Sequence, residues 1–220
     1  MAVRTLAELE AALDDSLSWR RIEIGTIKSN LDSAYSHGPH SPLTRALARS
    51  GIAMLYAHWE GFARDAFGAY VDFLARRKLK VSELNDGLAR TVFDALSRRL
   101  ASGDEAATVL LLEAIRSPNS ARAAIPKSSM ANTKSNLRSK VLMEILSSVG
   151  LDHSEFETKA QLIDRTLCDA RNEIAHGRDN FPTADQFTEL RDEVLPMMET
   201  IRHKIIAAAR AGDYRVSTNP

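Results

Sequence analysis

The sequence predicts an all-α protein, and three observations carry that expectation. Polar capping patterns stand ahead of the apolar runs: Thr5 with Glu8, Ser41 with Pro42, Thr158 with Gln161, Thr183 with Gln186. The runs that follow repeat their apolar residues at steps of three and four, which lays one stripe along a helix. No alternating apolar and polar segment of any length competes as a strand, and no internal repeat is present.

Taken in order, Leu6, Leu9, Leu13, Leu17, Ile24, Ile27 and Leu31 make the first helix long and amphipathic. The run Tyr35 to His40 reads as a turn around Gly38 and Pro39; its histidines, His37 and His40, lack the carboxylate or thiol company of a metal site. A second long helix from Ser41 to about Arg77 carries Leu47, Leu55, Trp59, Phe62, Ala66, Ala69 and Phe73 on its core face. Gly51, Gly61 and Gly68 inside it predict close approach of another helix, because each is disfavoured there by about 1 kcal/mol relative to Ala. Ser82 is expected to begin a helix closing near Gly103, and Asp104 another ending at Ser117-Pro118. The chain from about 117 to 136, rich in Ser, Ala, Asn and Lys, is expected to be one long loop. Shorter helices follow from Asn136 to Val149 and from Thr158 to His176, and a last one after Thr183 is expected to kink at Pro196. The four capped stripes starting at Thr5, Ser41, Thr158 and Thr183 should form the core of a single domain over 1–220.

Composition narrows the function classes. With 220 residues, 44% of them hydrophobic, the chain can bury a core. No apolar run approaches the roughly 20 residues of a membrane span, and the N-terminus lacks a signal segment, so a cytoplasmic protein with no membrane partner is expected. The single cysteine, Cys168, excludes an internal disulfide and a cysteine-based zinc site; a buried or half-buried thiol is the expected role. Lys plus Arg and Asp plus Glu both number 29, and a zero formal charge argues against indiscriminate coating of nucleic acid. Charge is nevertheless uneven: Ala114 to Met143 contains no acid but holds Arg116, Arg122, Lys127, Lys134, Arg138 and Lys140, which is compatible with a local basic surface.

The chemistry-bearing stretch is Arg171-Asn172-Glu173-Ile174-Ala175-His176-Gly177. Gly177 fits the left-handed position that ends a helix, and Ile163, Leu167, Ala170 and Ile174 form the core stripe of that helix. At about 100° per residue, Arg165, Asp169, Asn172 and His176 fall on the opposite side, with Arg171 on the flank. Taken alone, this spacing also fits a solvated face ending in a histidine that favours the helix dipole. Similarly, His58 and Glu60 in Tyr56-Ala57-His58-Trp59-Glu60-Gly61-Phe62 point to different faces, which favours separate structural roles over a joint acid–base one.

An all-helical chain bearing Arg-Asn-x-x-x-His resembles the HEPN superfamily, whose members pair as dimers and often act as metal-independent ribonucleases. Leu55 to Phe62, Asn132 to Leu137 and Arg171 to Gly177, in that order, resemble more narrowly the RiboL-PSP-HEPN family. The resemblance implies a HEPN-like helical bundle with long antiparallel helices and a short-helix insertion. It implies Arg171, Asn172 and His176 as catalytic residues, no metal or cofactor, RNA as substrate and a homodimer. It also implies a separately encoded partner, an antitoxin or a phosphatase-like protein. Arg171 suits a pentavalent phosphorus because its guanidinium stays charged and donates as a fork; His176 suits proton transfer because its ordinary pKa is near neutral; Asn172 is expected to orient His176. Lys134, Arg138, Lys127 and Arg165 are the expected RNA contacts. The expected function is a metal-independent endoribonuclease in a toxin, defence or RNA-processing role. The alternatives are a non-catalytic module that binds RNA, nucleotide or protein, and a structural helical dimer.

Overall fold

The structure, a computed structural model, describes residues 3–130, 132–134 and 136–216, with the backbone alone at 128 and 129. The described residues are helical throughout, apart from turns and two isolated antiparallel bridges. Helix α1 (Leu6–His37) begins in a full capping box: the Thr5 hydroxyl accepts from Glu8 N, and the Glu8 carboxylate accepts from Thr5 N. It buries Leu9, Leu13, Leu17, Ile24 and Leu31, most of the expected stripe. Gly38 to Ser41 reverses the chain into α2 (Pro42–Arg76), where Ser41 Oγ accepts from Thr44 N and Pro42 occupies the first turn. α1 and α2 therefore form a long antiparallel hairpin. α9 (Ala184–Ala211), opened by the Thr183/Gln186 box, packs on both and runs through Pro196.

The glycines of α2 divide by what lies over them. A Cβ at Gly51 would meet the Phe187 ring of α9 at 2.9 Å and Ile27 of α1 at 3.3 Å; one at Gly61 would meet the Arg20 guanidinium at 3.0 Å. Those two sites are close approaches, whereas Gly68 has nothing within 4 Å.

Between α2 and α9 lie the short helices. After a single 3₁₀ turn, Val81–Glu83, Asn85 rather than Ser82 caps α3 (Asp86–Ala101), its side chain accepting from Leu88 N. Asp104 caps α4 (Glu105–Arg116), whose outer side exposes Val109, Leu112 and Ile115. The expected loop at 117–136 contains α5 (Lys127–Met130) and pairs back on the chain through the Lys80–Arg122 bridge, so it is less open than its composition suggests. α6 (Ser139–Ser148) and the single turn α7 (Ser154–Glu157) follow.

The next helix departs most from expectation. Thr158 does not cap it: its backbone is already helical (φ −69°, ψ −21°), and its hydroxyl donates back to Glu155 O, because α7 precedes it directly. Leu162–Asp169 then coils as a π-helix before tightening into α8 (Ala170–Ala175). Its wider turn advances by a smaller angle per residue, so faces drawn at 100° per residue drift along it. Ile163 and Leu167 are still fully buried, and Ala170 and Ile174 pack half-buried against the same core. The α8 end is as expected: Gly177 adopts φ +70° while Gly177 N and Arg178 N donate to Ile174 O and Glu173 O. No helix among the described residues is long and apolar enough to cross a membrane.

Candidate functional site

The three sequence stretches singled out above, on α2, on the chain before α6 and on α8, meet at Tyr56, which contacts both Leu137 and Arg171. Leu137 is buried, though it lies outside any helix, so both of its backbone polar groups require partners. Its N–H donates to Tyr56 Oη (2.9 Å); its carbonyl accepts from Trp59 Nε1 (3.4 Å) and lies 3.5 Å from Cys168 Sγ. Tyr56 donates onward to Asn136 Oδ1 (3.3 Å). A few residues away, buried Thr133 donates to Glu60 (2.7 Å). Ser135, inside the middle stretch, lies outside the described residues. The aromatic run of α2 therefore acts as a clamp on the 132–137 chain, a role its helical spacing alone does not reveal.

Tyr56 has a second function. The Arg171 guanidinium carbon lies 4.4 Å from the centre of the Tyr56 ring, and Arg171 Nη1 donates to Asn172 Oδ1 at 2.9 Å. A stacked guanidinium with one arm bonded has lost most of its freedom, and the remaining N–H groups are left to donate elsewhere. Arg171 thus turns toward α2, and Asn172 steadies Arg171. No side-chain bond joins Asn172 to His176 among the described residues; the link between them is the helical one, His176 N to Asn172 O (3.0 Å). His176 is exposed at the C-cap of α8, next to Gly177.

The other wall of the site is electrostatic. Asp164, in the π-helix, accepts from Ser139 N and Ser139 Oγ (both 2.7 Å), supplying α6 with the anionic cap that Arg138 itself does not provide. Arg138 bridges the Asp164 carbonyl (3.3 Å) and the Asp169 carboxylate, which holds its pKa above the usual value. Lys134, in the left-handed region (φ +53°), pairs with Glu144 of α6 at 2.7 Å.

Among the expected RNA contacts, Arg138 and Lys134 each have a carboxylate already in place, and Arg138, like Arg171, lies close enough to Cys168 to act on it electrostatically. Lys127 is elsewhere, paired with Asp72 near the C-terminal end of α2. Arg165 lines a groove of about 870 Å³ between the π-helix and α9, with Asp169, Glu173, Glu189, Asp192 and Glu193. Arg171 and His176 do not line that groove, and its carboxylates would repel a phosphate.

Two buried side chains are excluded from the chemistry by their surroundings. Burial pushes the Cys168 thiol up to about 12, so it stays protonated and inert, as a packed thiol should. His58 is buried under Trp19; burial lowers its pKa, against the opposing pull of Glu23 Oε2 at 3.0 Å. Beside it, Arg20 fills the space over Gly61 and pairs with Asp65 at 2.8 Å. His58 and Glu60 meet different partners, Glu23 and Thr133. No group of three or more His, Cys, Asp or Glu arranged to hold a metal occurs among the described residues.

A family model described as RiboL-PSP-HEPN matches residues 15–207, which takes in all three converging stretches. No curated protein and no solved structure matches the chain.

Proposed function

Because the chain belongs to the RiboL-PSP-HEPN family, a HEPN-type family of helical domains, we propose that it is an endoribonuclease that cleaves RNA by internal attack of a 2′-hydroxyl, without a metal ion. The observation that carries this reading is the fixing of Arg171 between Tyr56 and Asn172. A solvated-face arginine would have no need of an aromatic platform clamped to a second segment. A guanidinium that must meet a phosphorane in one orientation does, since preorganised donors are those that stabilise charge as it develops.

In the proposed reaction the 2′-oxygen bonds to the adjacent phosphorus, the bond from phosphorus to the 5′-oxygen breaks, and the products end in a 2′,3′-cyclic phosphate and a 5′-hydroxyl. One imidazole takes the 2′ proton and another returns a proton to the leaving 5′-oxygen. One protomer offers a single suitable His176. A two-fold homodimer with both Arg171/His176 sets in one cleft supplies the pair, and the exposure of His176 at the end of α8 leaves it accessible to such a partner. The biological setting, as toxin, defence effector or processing enzyme with a separately encoded partner, belongs to this proposal too.

The test is turnover and RNA affinity for Arg171→Ala and His176→Ala. A nuclease loses turnover by about 100-fold or more with affinity partly kept; a binding module loses affinity; a scaffold loses neither. Mixing wild type with His176→Ala probes the shared cleft. Mixed dimers that keep half the wild-type rate per dimer mean each protomer acts alone, whereas a loss well beyond half is the expected result.

A further inference from the structure

At the C-terminal end of α2, roughly 30 Å along that helix from Tyr56, cations from separate parts of the chain surround a pocket of about 450 Å³: Arg4, Arg76, Lys78, Arg122 and Lys127. Each is delivered by a specific contact. Val3 N donates to Asp72 (2.8 Å) and Arg77 donates to Arg4 O (3.5 Å), which docks the N-terminal arm here. Ala123 N donates to Leu79 O and Val81 N to Ala121 O, which ties Arg122 beside Lys78.

The carboxylates in reach are committed. Burial would raise the pKa of Asp72, but hydrogen bonds from Lys127, Val3 N and Arg76 hold it down at about 2. Glu8 caps α1 through Arg4 N and Thr5 N. Arg4, Lys78 and Arg122 have no carboxylate partner among the described residues.

Cations at a helix C-terminus also complement the helix dipole, and one or two would serve that purpose. Arg4, Arg122 and Lys127 come from outside the helix, and Lys78 sits at φ +54°, a left-handed position directly after the Arg77 cap where glycine is the unstrained residue. A lysine held there against backbone preference adds a cation that helix termination does not require.

We propose that this pocket holds a backbone phosphate of a single-stranded RNA whose reacting part lies at Arg171 and His176, so that the protein favours strands long enough to span both. The inference rests on the proposed function for its ligand. Two of the six cations of the acid-free segment, Arg122 and Lys127, then act here, away from the cleavage site.

The experiment measures binding and cleavage of uridine homopolymers of about 40 and about 4 nucleotides by wild type, Lys78→Glu/Arg122→Glu and Lys78→Gly. The double variant should bind the long strand at least tenfold more weakly, with its log–log salt dependence shallower by about 0.7 for each phosphate no longer neutralised, while cleaving the short one at the wild-type rate. Lys78→Gly, which relieves the backbone strain, should melt no lower than wild type and still lose affinity for the long strand. Unchanged long-strand affinity in both variants overturns the inference, as does competition by polyglutamate equal to that by RNA. Wild type that binds the long strand through these residues yet cleaves neither RNA leaves the pocket standing and removes the nuclease reading.

Discussion

Tyr56 serves two roles at once: its hydroxyl anchors the Leu137 amide and its ring supports Arg171. Burial pushes its pKa well above the usual phenol value, so it stays a neutral donor and acceptor at any working pH. The two roles can be separated. Tyr56→Phe keeps the ring but orphans a buried N–H, and should cost about 1–3 kcal/mol in urea denaturation with turnover of the folded protein nearly intact. Tyr56→Leu should lose turnover as well, through a freed Arg171. That Arg171, Asn172 and His176 stand together at the end of one helix was legible from the sequence because they are neighbours in it. That Asn172 serves Arg171 was not, since adjacent side chains on a helix point apart and only the swing of the long arginine brings them together. Tyr56 itself stood within a resembled stretch, but nothing in the chain stated that α2 and α8 face each other at that height.

Elements were legible where capping chemistry is local. The boxes at Thr5 and Thr183 and the Ser41-Pro42 start occur as read, because each depends on residues within one turn. Thr158 and Ser82 failed because of what surrounds them: Thr158 follows directly on the α7 turn, and Ser82 lies inside the 3₁₀ turn Val81–Glu83, leaving Asn85 to cap α3. The π-helix was hidden because an apolar stripe counted at 3.6 residues per turn accepts a wider coil without complaint. Glycine spacing predicted close packing in α2, and the structure grades it. Gly51→Ala should destabilise by about 1–3 kcal/mol through the Phe187 ring, whereas Gly68→Ala, in open space, should stabilise by about 0.4–1 kcal/mol. Equal thermal shifts for the two variants would mean that α9 does not press on α2 as described.

At the scale of the whole molecule, the all-α bundle followed from periodicity and the absence of strand patterns, whereas the distribution of charge did not. The acid-free segment looked like one basic surface. Folding divides it, sending Lys134 to a carboxylate of α6, Arg138 to one of the π-helix, and Arg122 and Lys127 to the far end of α2. Such pairings join residues distant in sequence, which a linear reading of charge cannot anticipate. The same remoteness bears on how the site comes and goes. Leu137 sits in a non-helical connection, yet its amide is bonded to a side chain 81 positions earlier in a buried environment. An amide of that kind exchanges with solvent only when the distant segments part from one another, so its rate measures the opening of the site itself. Native-state hydrogen exchange should therefore find Leu137 among the slow amides, beside those of α2, and Tyr56→Phe should return it to the rate of an ordinary loop. If Leu137 in the wild type already exchanges as fast as its loop neighbours, the 132–137 chain detaches from α2 independently of the bundle. A slow rate would mean instead that α2 and the chain around Leu137 open as one cooperative unit, and that the platform under Arg171 is lost only when that unit opens.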